Sequence, residues 1–405
     1  MNKIVFALLS LLPLAAGPAF AQGADPVTDL FGGCGRFKYI STYGDDNREE
    51  YCSANITIRN LADSVAGLFT DGSSVTLTGK SYVYGTTTLG ETRDRVAPDQ
   101  RFVNQPAAAF CTGFLVGDDL LVTAGHCVKD HLPSGTAPKD HKGACQENPE
   151  FRRQGDFCEN IRVVFGFRKD LGGVIPPSAP ARDVYKCAKV ISHSLVSGPD
   201  YAVFKLDRKV SGRWPLAINR GNRGLSAETP LFVIGHPSGL PLKIAGDAEV
   251  VAVDTDVYVN DNWGGKTKWA DQGYSFLTNL DTFHGNSGSP VFNLYTLMVE
   301  GILVSGDNDY VPHADYPGQS RAANFPQQPV SDLGKGVGEV CTKISVPASR
   351  IPATGVEKAA LKMNAKYKNK LYPAILKHLI EQYRKQRNYI QPEHERRQSQ
   401  APQYI

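Results

Sequence analysis

Short apolar runs recur through the middle of the chain, separated by polar or turn-forming residues. Gly113-Phe114-Leu115-Val116, Ile161-Arg162-Val163-Val164-Phe165, Tyr201-Ala202-Val203-Phe204-Lys205-Leu206, Leu231-Phe232-Val233-Ile234 and Gly301-Ile302-Leu303-Val304 carry the pattern most clearly. Runs this short, rich in β-branched and aromatic residues, predict strands rather than helices. The 39 glycines and 26 prolines supply the turns between them, and no regular strand-helix alternation suggests a parallel sheet. Residues 43–350 therefore read as one all-β unit, a barrel or a sandwich.

Two stretches inside that unit break the pattern. Asp130 to Cys158 is polar and contains Pro133, Gly135, Pro138 and Gly143; Gly306 to Gly338 contains Pro312, Pro317, Pro326 and Pro329. Both read as long surface loops, a kind of segment that is often functional. Two roles stay open for them: the rim of a substrate cleft, and plain surface decoration.

The two ends differ from the middle. Lys3, the apolar run from Ile4 to Ala16 and the small-x-small pattern Ala19-Phe20-Ala21 have the form of an export signal cleaved before Gln22. Residues 1–21 are thus expected to be removed, and residues 22–42 to form a short propeptide or N-terminal arm. No later segment approaches the roughly twenty apolar residues of a membrane-spanning helix. The mature chain is expected to be soluble, and secreted or periplasmic. Residues 351–405 read as a basic helical extension. After Pro373, the side chains of Ile375, Leu376, Leu379, Ile380 and Tyr383 share one helical face. That face is expected to pack on the parent domain, with contact to an anionic surface as the alternative, and the tail beyond Gln391 to be disordered.

A net charge of +3 over 405 residues gives no reason to expect nucleic acid as a partner, and the chain is expected to be a monomer. The eight cysteines are Cys34, Cys52, Cys111, Cys127, Cys145, Cys158, Cys187 and Cys341. An even number in an exported chain predicts disulfides, and no pair has the C-x-x-C spacing of a zinc or redox site. No metal or cofactor is expected. Proximity in sequence suggests Cys145–Cys158 and Cys34–Cys52.

Three segments offer the parts of a nucleophilic hydrolase: a hydroxyl, a base and donors for an oxyanion. In Leu121-Val122-Thr123-Ala124-Gly125-His126-Cys127 an apolar strand ends in a small-residue turn that presents His126. In Gly285-Asn286-Ser287-Gly288-Ser289-Pro290-Val291 small residues flank Ser287 and let its hydroxyl stand in the open. In Gly198-Pro199-Asp200-Tyr201-Ala202-Val203 an aspartate opens an apolar strand. Asp207 is the rival carboxylate, but Arg208 and Lys209 follow it in what reads as a solvated turn.

These motifs, in the order His, Asp, Ser, resemble the trypsin-like serine peptidases, in particular a bacterial branch that includes the glutamyl endopeptidases. The resemblance covers most of residues 43–350. It implies two packed antiparallel six-stranded β-barrels with the active site between them, polypeptide substrates, His126 as general base, Asp200 as its partner and Ser287 as nucleophile. It further implies that the amides of Gly285 and Ser287 form the oxyanion hole, and that Cys111 and Cys127 are bridged. His236, in Val233-Ile234-Gly235-His236-Pro237, is read as structural.

The match has departures. Asn286 stands where animal members carry an aspartate that pairs with a newly cut amino terminus, so that ion-pair switch is not expected here. A serine that usually bonds the triad aspartate could correspond to Ser305, or be replaced by Val304. For specificity, Asp281 matches the pocket-floor aspartate that binds Lys or Arg, while Thr282 matches the glutamyl endopeptidases. His284 belongs to the same stretch of substrate-binding residues, and Glu339 is a candidate for another pocket wall. Cleavage after Lys or Arg leads, with cleavage after Glu as the alternative. Two other functions stay open: a protease-fold binding protein attached by its basic tail, and an esterase. The chain order argues against an α/β-hydrolase esterase, which runs Ser, Asp, His.

Overall fold

A computed structural model describes residues 46–129, 154–195, 199–221, 224–253, 257–260, 266–269, 273–306, 308–323 and 338–354. The expected export signal, the N-terminal arm and the basic C-terminal helix lie outside these residues.

Every apolar run singled out above lies on a strand, only Val116 falling just past the end of its own. Six strands close the first barrel: β1 (Val65–Thr70), β2 (Cys111–Leu115), β3 (Leu120–Thr123), β4 (Ile161–Phe165), β5 (Val184–Ser194) and β6 (Tyr201–Leu206). Their order around it is β6-β3-β2-β1-β4-β5. The second barrel uses β7 (Pro230–Gly235), β8 (Lys243–Val253), β9 (Ser275–Thr278), β10 (Pro290–Asn293), β11 (Val299–Ser305) and β12 (Glu339–Lys343). These run β8-β7-β10-β11-β12-β9, and pairing of β8 with β9 closes the ring. The architecture is two six-stranded antiparallel barrels, as the resemblance implies.

The runs are nearly continuous in hydrophobicity because both faces of the strands are covered. On β7, Leu231 and Val233 belong to one buried cluster with Val250, Phe276 and Leu303, while Phe232 and Ile234 belong to another. That second cluster extends through Phe292 and Ile302 to Phe114, Leu121, Val122 and Phe204 of the first barrel, so the two barrels share a core.

Among the described residues helices are few and short. In α1 (Ile56–Ala62) the Asn55 side chain accepts from the Thr57 and Ile58 amides, capping two otherwise orphaned donors. The helix α2 (Gly125–Lys129) follows β3 and carries His126, and α3 (Gln154–Asn160) precedes β4.

Two expectations about the long loops change. Cys158 lies on α3 and bonds Cys187 of β5, so the Cys145–Cys158 pairing is wrong. The register explains the correction: β4 pairs with β5, Arg162 opposite Lys186 and Val163 opposite Tyr185. The end of α3, directly before β4, therefore meets Cys187, far away in sequence. Cys34 and Cys145 lie outside the described residues. Within the second stretch, Tyr310–Pro312 pairs with Ser320–Ala322 as a two-stranded ribbon, so residues 310–322 are not a plain loop.

The Cys158–Cys187 bridge closes a loop with a sequence separation of 29, which in the chain-entropy treatment is worth about 3–4 kcal/mol. Cys158→Ser with Cys187→Ser should lower the unfolding free energy by about that much in denaturant titration. Peptide mapping without reduction should recover the two cysteines in one linked fragment.

Candidate active site

Strand register brings the first two candidate residues together. β3 runs antiparallel to β6 with Thr123 opposite Ala202. The residues leaving β3 and those entering β6 thus meet at the same barrel end, which puts His126 beside Asp200. His126 Nδ1–H donates to Asp200 Oδ2 at 2.7 Å. Asp200 Oδ1 accepts the His126 amide at 3.1 Å and also the Gly125 amide. The carboxylate is buried at 5% exposure, whereas the His126 side chain is 26% exposed. Such an arrangement fixes one imidazole tautomer and turns Nε2 towards solvent or a reacting group. Gly125 has a steric reason to be glycine: a Cβ there would lie 2.1 Å from Ser194 O and 3.0 Å from Tyr201 O.

Asp207, the rival carboxylate, accepts the Lys186 amide and pairs with Arg208 at 3.0 Å, away from His126. Among the described residues neither Val304 nor Ser305 bonds Asp200. A bulge between Leu303 and Ser305 shifts the register of β11 there.

The Ser287 turn leads into β10 and is clamped to the first barrel by Thr112, which is completely buried. The Thr112 amide donates to Ser287 O at 2.8 Å, and its hydroxyl donates to Gly285 O at 2.8 Å. The same hydroxyl oxygen accepts the His236 amide at 3.0 Å, and Thr112 O accepts the Thr123 hydroxyl at 2.7 Å. Cys111, next in sequence, is disulfide-bonded to Cys127, beside His126. One strand end therefore holds both the histidine turn and the serine turn. Gly288, at φ +87°, packs so closely that a Cβ would sit 2.1 Å from Thr112 O.

The amides around Ser287 divide into two kinds. Asn286 N–H donates to Phe283 O at 2.9 Å and Gly288 N–H to Leu303 O at 2.7 Å. Those of Gly285 and Ser287 donate to no acceptor among the described residues. Two donors lying on either side of Asn286 suit a developing oxyanion. Asn286 is buried, and its side-chain oxygen accepts the Ser289 hydroxyl at 3.3 Å.

The specificity candidates separate. Asp281 is buried and its Oδ2 accepts the Asn47 amide at 3.1 Å. Thr282 donates its hydroxyl to the carboxylate of Glu339, also buried, against which Gly306 packs. His284 is exposed, and both its amide and its Nδ1 meet Asp309 Oδ2 at 2.7 Å. Partial desolvation by the surrounding loops pulls the imidazole pKa down, but Asp309, with the more distant Asp94, outweighs this and leaves it raised. Three contributors carried no sequence signal: Thr112, Asp309 and Arg48. Their partners lie up to 235 residues away, beyond any local pattern.

Residues 111–302 match the trypsin-like peptidase domain. That span holds the histidine, aspartate and serine motifs. No curated protein matches the chain by sequence. Among solved structures, the VesB protease of Vibrio cholerae is similar at 16% identity, over 75% of this chain and 66% of that one, with a TM-score of 0.40. An inactive mutant form of Rv3671c from M. tuberculosis H37Rv is similar at 13% identity, over 74% of this chain and 93% of that one, with a TM-score of 0.34.

His236 is buried and stacks on Phe167, with Nδ1–H donating to Leu240 O at 2.9 Å. Burial lowers its pKa from 6.5 to about 4. Neutral His236 therefore contributes stability that is complete above pH 6.5 and is lost as the pH falls through about 4. The loss is worth roughly 3 kcal/mol. Denaturant titrations between these limits should show stability falling with acid, with a shallower fall in His236→Gln. Thr112→Val should be costly at any pH, because Gly285 O and the His236 amide lose a buried partner. We expect a loss of about 2–5 kcal/mol by thermal unfolding, with Thr112→Ser costing about 1 kcal/mol.

Proposed function

We propose that this protein is a secreted serine endopeptidase. The observation that carries the reading is the buried Asp200–His126 hydrogen bond, set beside a Ser287 turn that Thr112 ties to the same strand end. In the mechanism, Ser287 Oγ attacks the scissile carbonyl carbon while His126 Nε2 takes the hydroxyl proton. Asp200 holds the ring and stabilises the imidazolium. The tetrahedral oxyanion takes the Gly285 and Ser287 amides, and its collapse expels the amine with the proton returned by His126. Water then enters by the reverse route, with His126 again as base, and hydrolyses the acyl-enzyme. Export of the chain behind residues 1–21 as its signal fits the Cys111–Cys127 and Cys158–Cys187 bridges, since disulfides persist in an oxidising compartment.

The preferred substrates are polypeptides cut after Lys or Arg. Two buried carboxylates, Asp281 and Glu339, support this, because they favour a cationic side chain and oppose a glutamate by like-charge repulsion.

The test is mass spectrometry of peptides released from an unfolded protein by the purified enzyme. Cuts should cluster after Lys and Arg, and Ser287→Ala should lower turnover by about a millionfold. Asp281→Ser should keep the dependence on Ser287 while erasing the basic preference. Cuts after Glu would overturn the pocket assignment, and cuts that survive Ser287→Ala would overturn the mechanism.

A further inference from the structure

The segment from Asp46 to Glu50 is seated in the second barrel, beside the loop that carries Ser287. Glu49 and Glu50 pair with Ile244 and Lys243 at the start of β8. The buried Lys243 ammonium donates to Glu50 Oε2 at 2.9 Å and to Gln105 Oε1 at 2.8 Å. The Asn47 amide donates to Asp281, and its side-chain Nδ2 to Gly246 O at 3.1 Å. Arg101 reaches over the segment, donating to the carbonyls of Asp46 at 2.5 Å and Arg48 at 2.6 Å.

Arg48 sits between these anchors at 3% exposure. Its Nε and Nη2 donate to the two Asp46 oxygens, each at 2.8 Å. The guanidinium lies 4.0 Å from the centroid of the Phe283 ring and 5.2 Å from that of Phe102. Phe283 in turn meets Tyr310, with ring centroids 5.4 Å apart. Its carbonyl accepts the Asn286 amide that shapes the turn into Ser287. Burying a guanidinium carries a desolvation cost that only a fixed geometry with a paired carboxylate and a ring face offsets. The proposed chemistry makes no use of this charge.

We infer that Arg48 is a positioning residue. By clamping Phe283 it fixes the turn 283–286, and so aims the Gly285 and Ser287 amides at the oxyanion. The inference rests on the serine peptidase reading. It also accounts for Asn286: the loop is ordered by an internal cation acting on a ring, so no newly cut amino terminus has to pair with that position.

The test uses the full secreted chain with Arg48→Met, Arg48→Lys and Phe283→Leu, assayed on one peptide substrate. Affinities are measured for the matching peptidyl aldehyde, which forms a tetrahedral oxyanion on the nucleophile, and for the cleaved product peptide, which does not. Arg48→Met and Phe283→Leu should each lower kcat about a hundredfold, the scale of one lost oxyanion donor. KM should stay within about threefold. Aldehyde affinity should fall with kcat, product affinity and the midpoint of the pH-rate profile should hold, and Arg48→Lys should recover part of the loss. Parental kcat in the folded variants would overturn the inference. So would a kcat loss matched by an equal loss of product affinity, which marks general disorder of the site. If Arg48→Met does not fold, Phe283→Leu decides alone. Full turnover in Ser287→Ala would instead overturn the catalytic reading, and this inference with it.

Discussion

Thr112 makes four hydrogen bonds, three of them across the junction of the two barrels, and the candidate site depends on them. Its amide holds Ser287 O, its hydroxyl bridges Gly285 O and the His236 amide, and its carbonyl takes the Thr123 hydroxyl. Residues from β3, from the turn after β7 and from the turn before β10 therefore converge on one buried residue. A polar residue at zero exposure is tolerated only when its groups are satisfied. Here that satisfaction requires both barrels to be folded and docked. The Cys111–Cys127 bridge adds a covalent link from the same strand end to the histidine turn.

Charge is arranged around this junction in a consistent way. Asp200 is buried, and three donors from the histidine turn converge on it. Asp281 and Glu339 are buried beyond the serine turn, where Asn47 and Thr282 donate to them. Donors from neighbouring chain offset the desolvation of each carboxylate, so the groups stay ordered without being drawn towards one another. Arg48 is the buried cationic counterpart against the same loop, paired with Asp46 and lying over the Phe283 ring. The first barrel thus supplies the base and its partner. The second supplies the hydroxyl, the open amides and the carboxylates proposed to read the substrate.

Much of this was legible in the sequence, for identifiable reasons. The Leu231–Ile234 strand announced itself because both faces are covered and the run is unbroken, while Ile161–Phe165 and Tyr201–Leu206 remain apolar enough around one charged residue each to read as strands. The histidine and serine turns were legible because sterics restrict them: Gly125 and Gly288 have no room for a Cβ. The Cys158–Cys187 bridge was not legible, since it is set by the register of β4 against β5 and not by spacing. For the same reason Thr112, Asp309 and Arg48 passed unnoticed, each acting on a partner brought close only by the closed barrels. The serine expected to bond the triad aspartate could be Ser305 or be replaced by Val304, and neither bonds Asp200, which takes donors from the histidine turn alone among the described residues; a register shift between Leu303 and Ser305 lies at that point of β11.

The claim that the junction assembles an activated serine is tested most directly by covalent labelling. The purified protein is treated with an organophosphonate that reacts only with activated hydroxyls, then digested and mapped by mass spectrometry. The account predicts one adduct, on Ser287, that disappears in His126→Ala while Ser289 in the same peptide stays unmodified. An unlabelled Ser287 in folded protein, or a label that persists without His126, would contradict it.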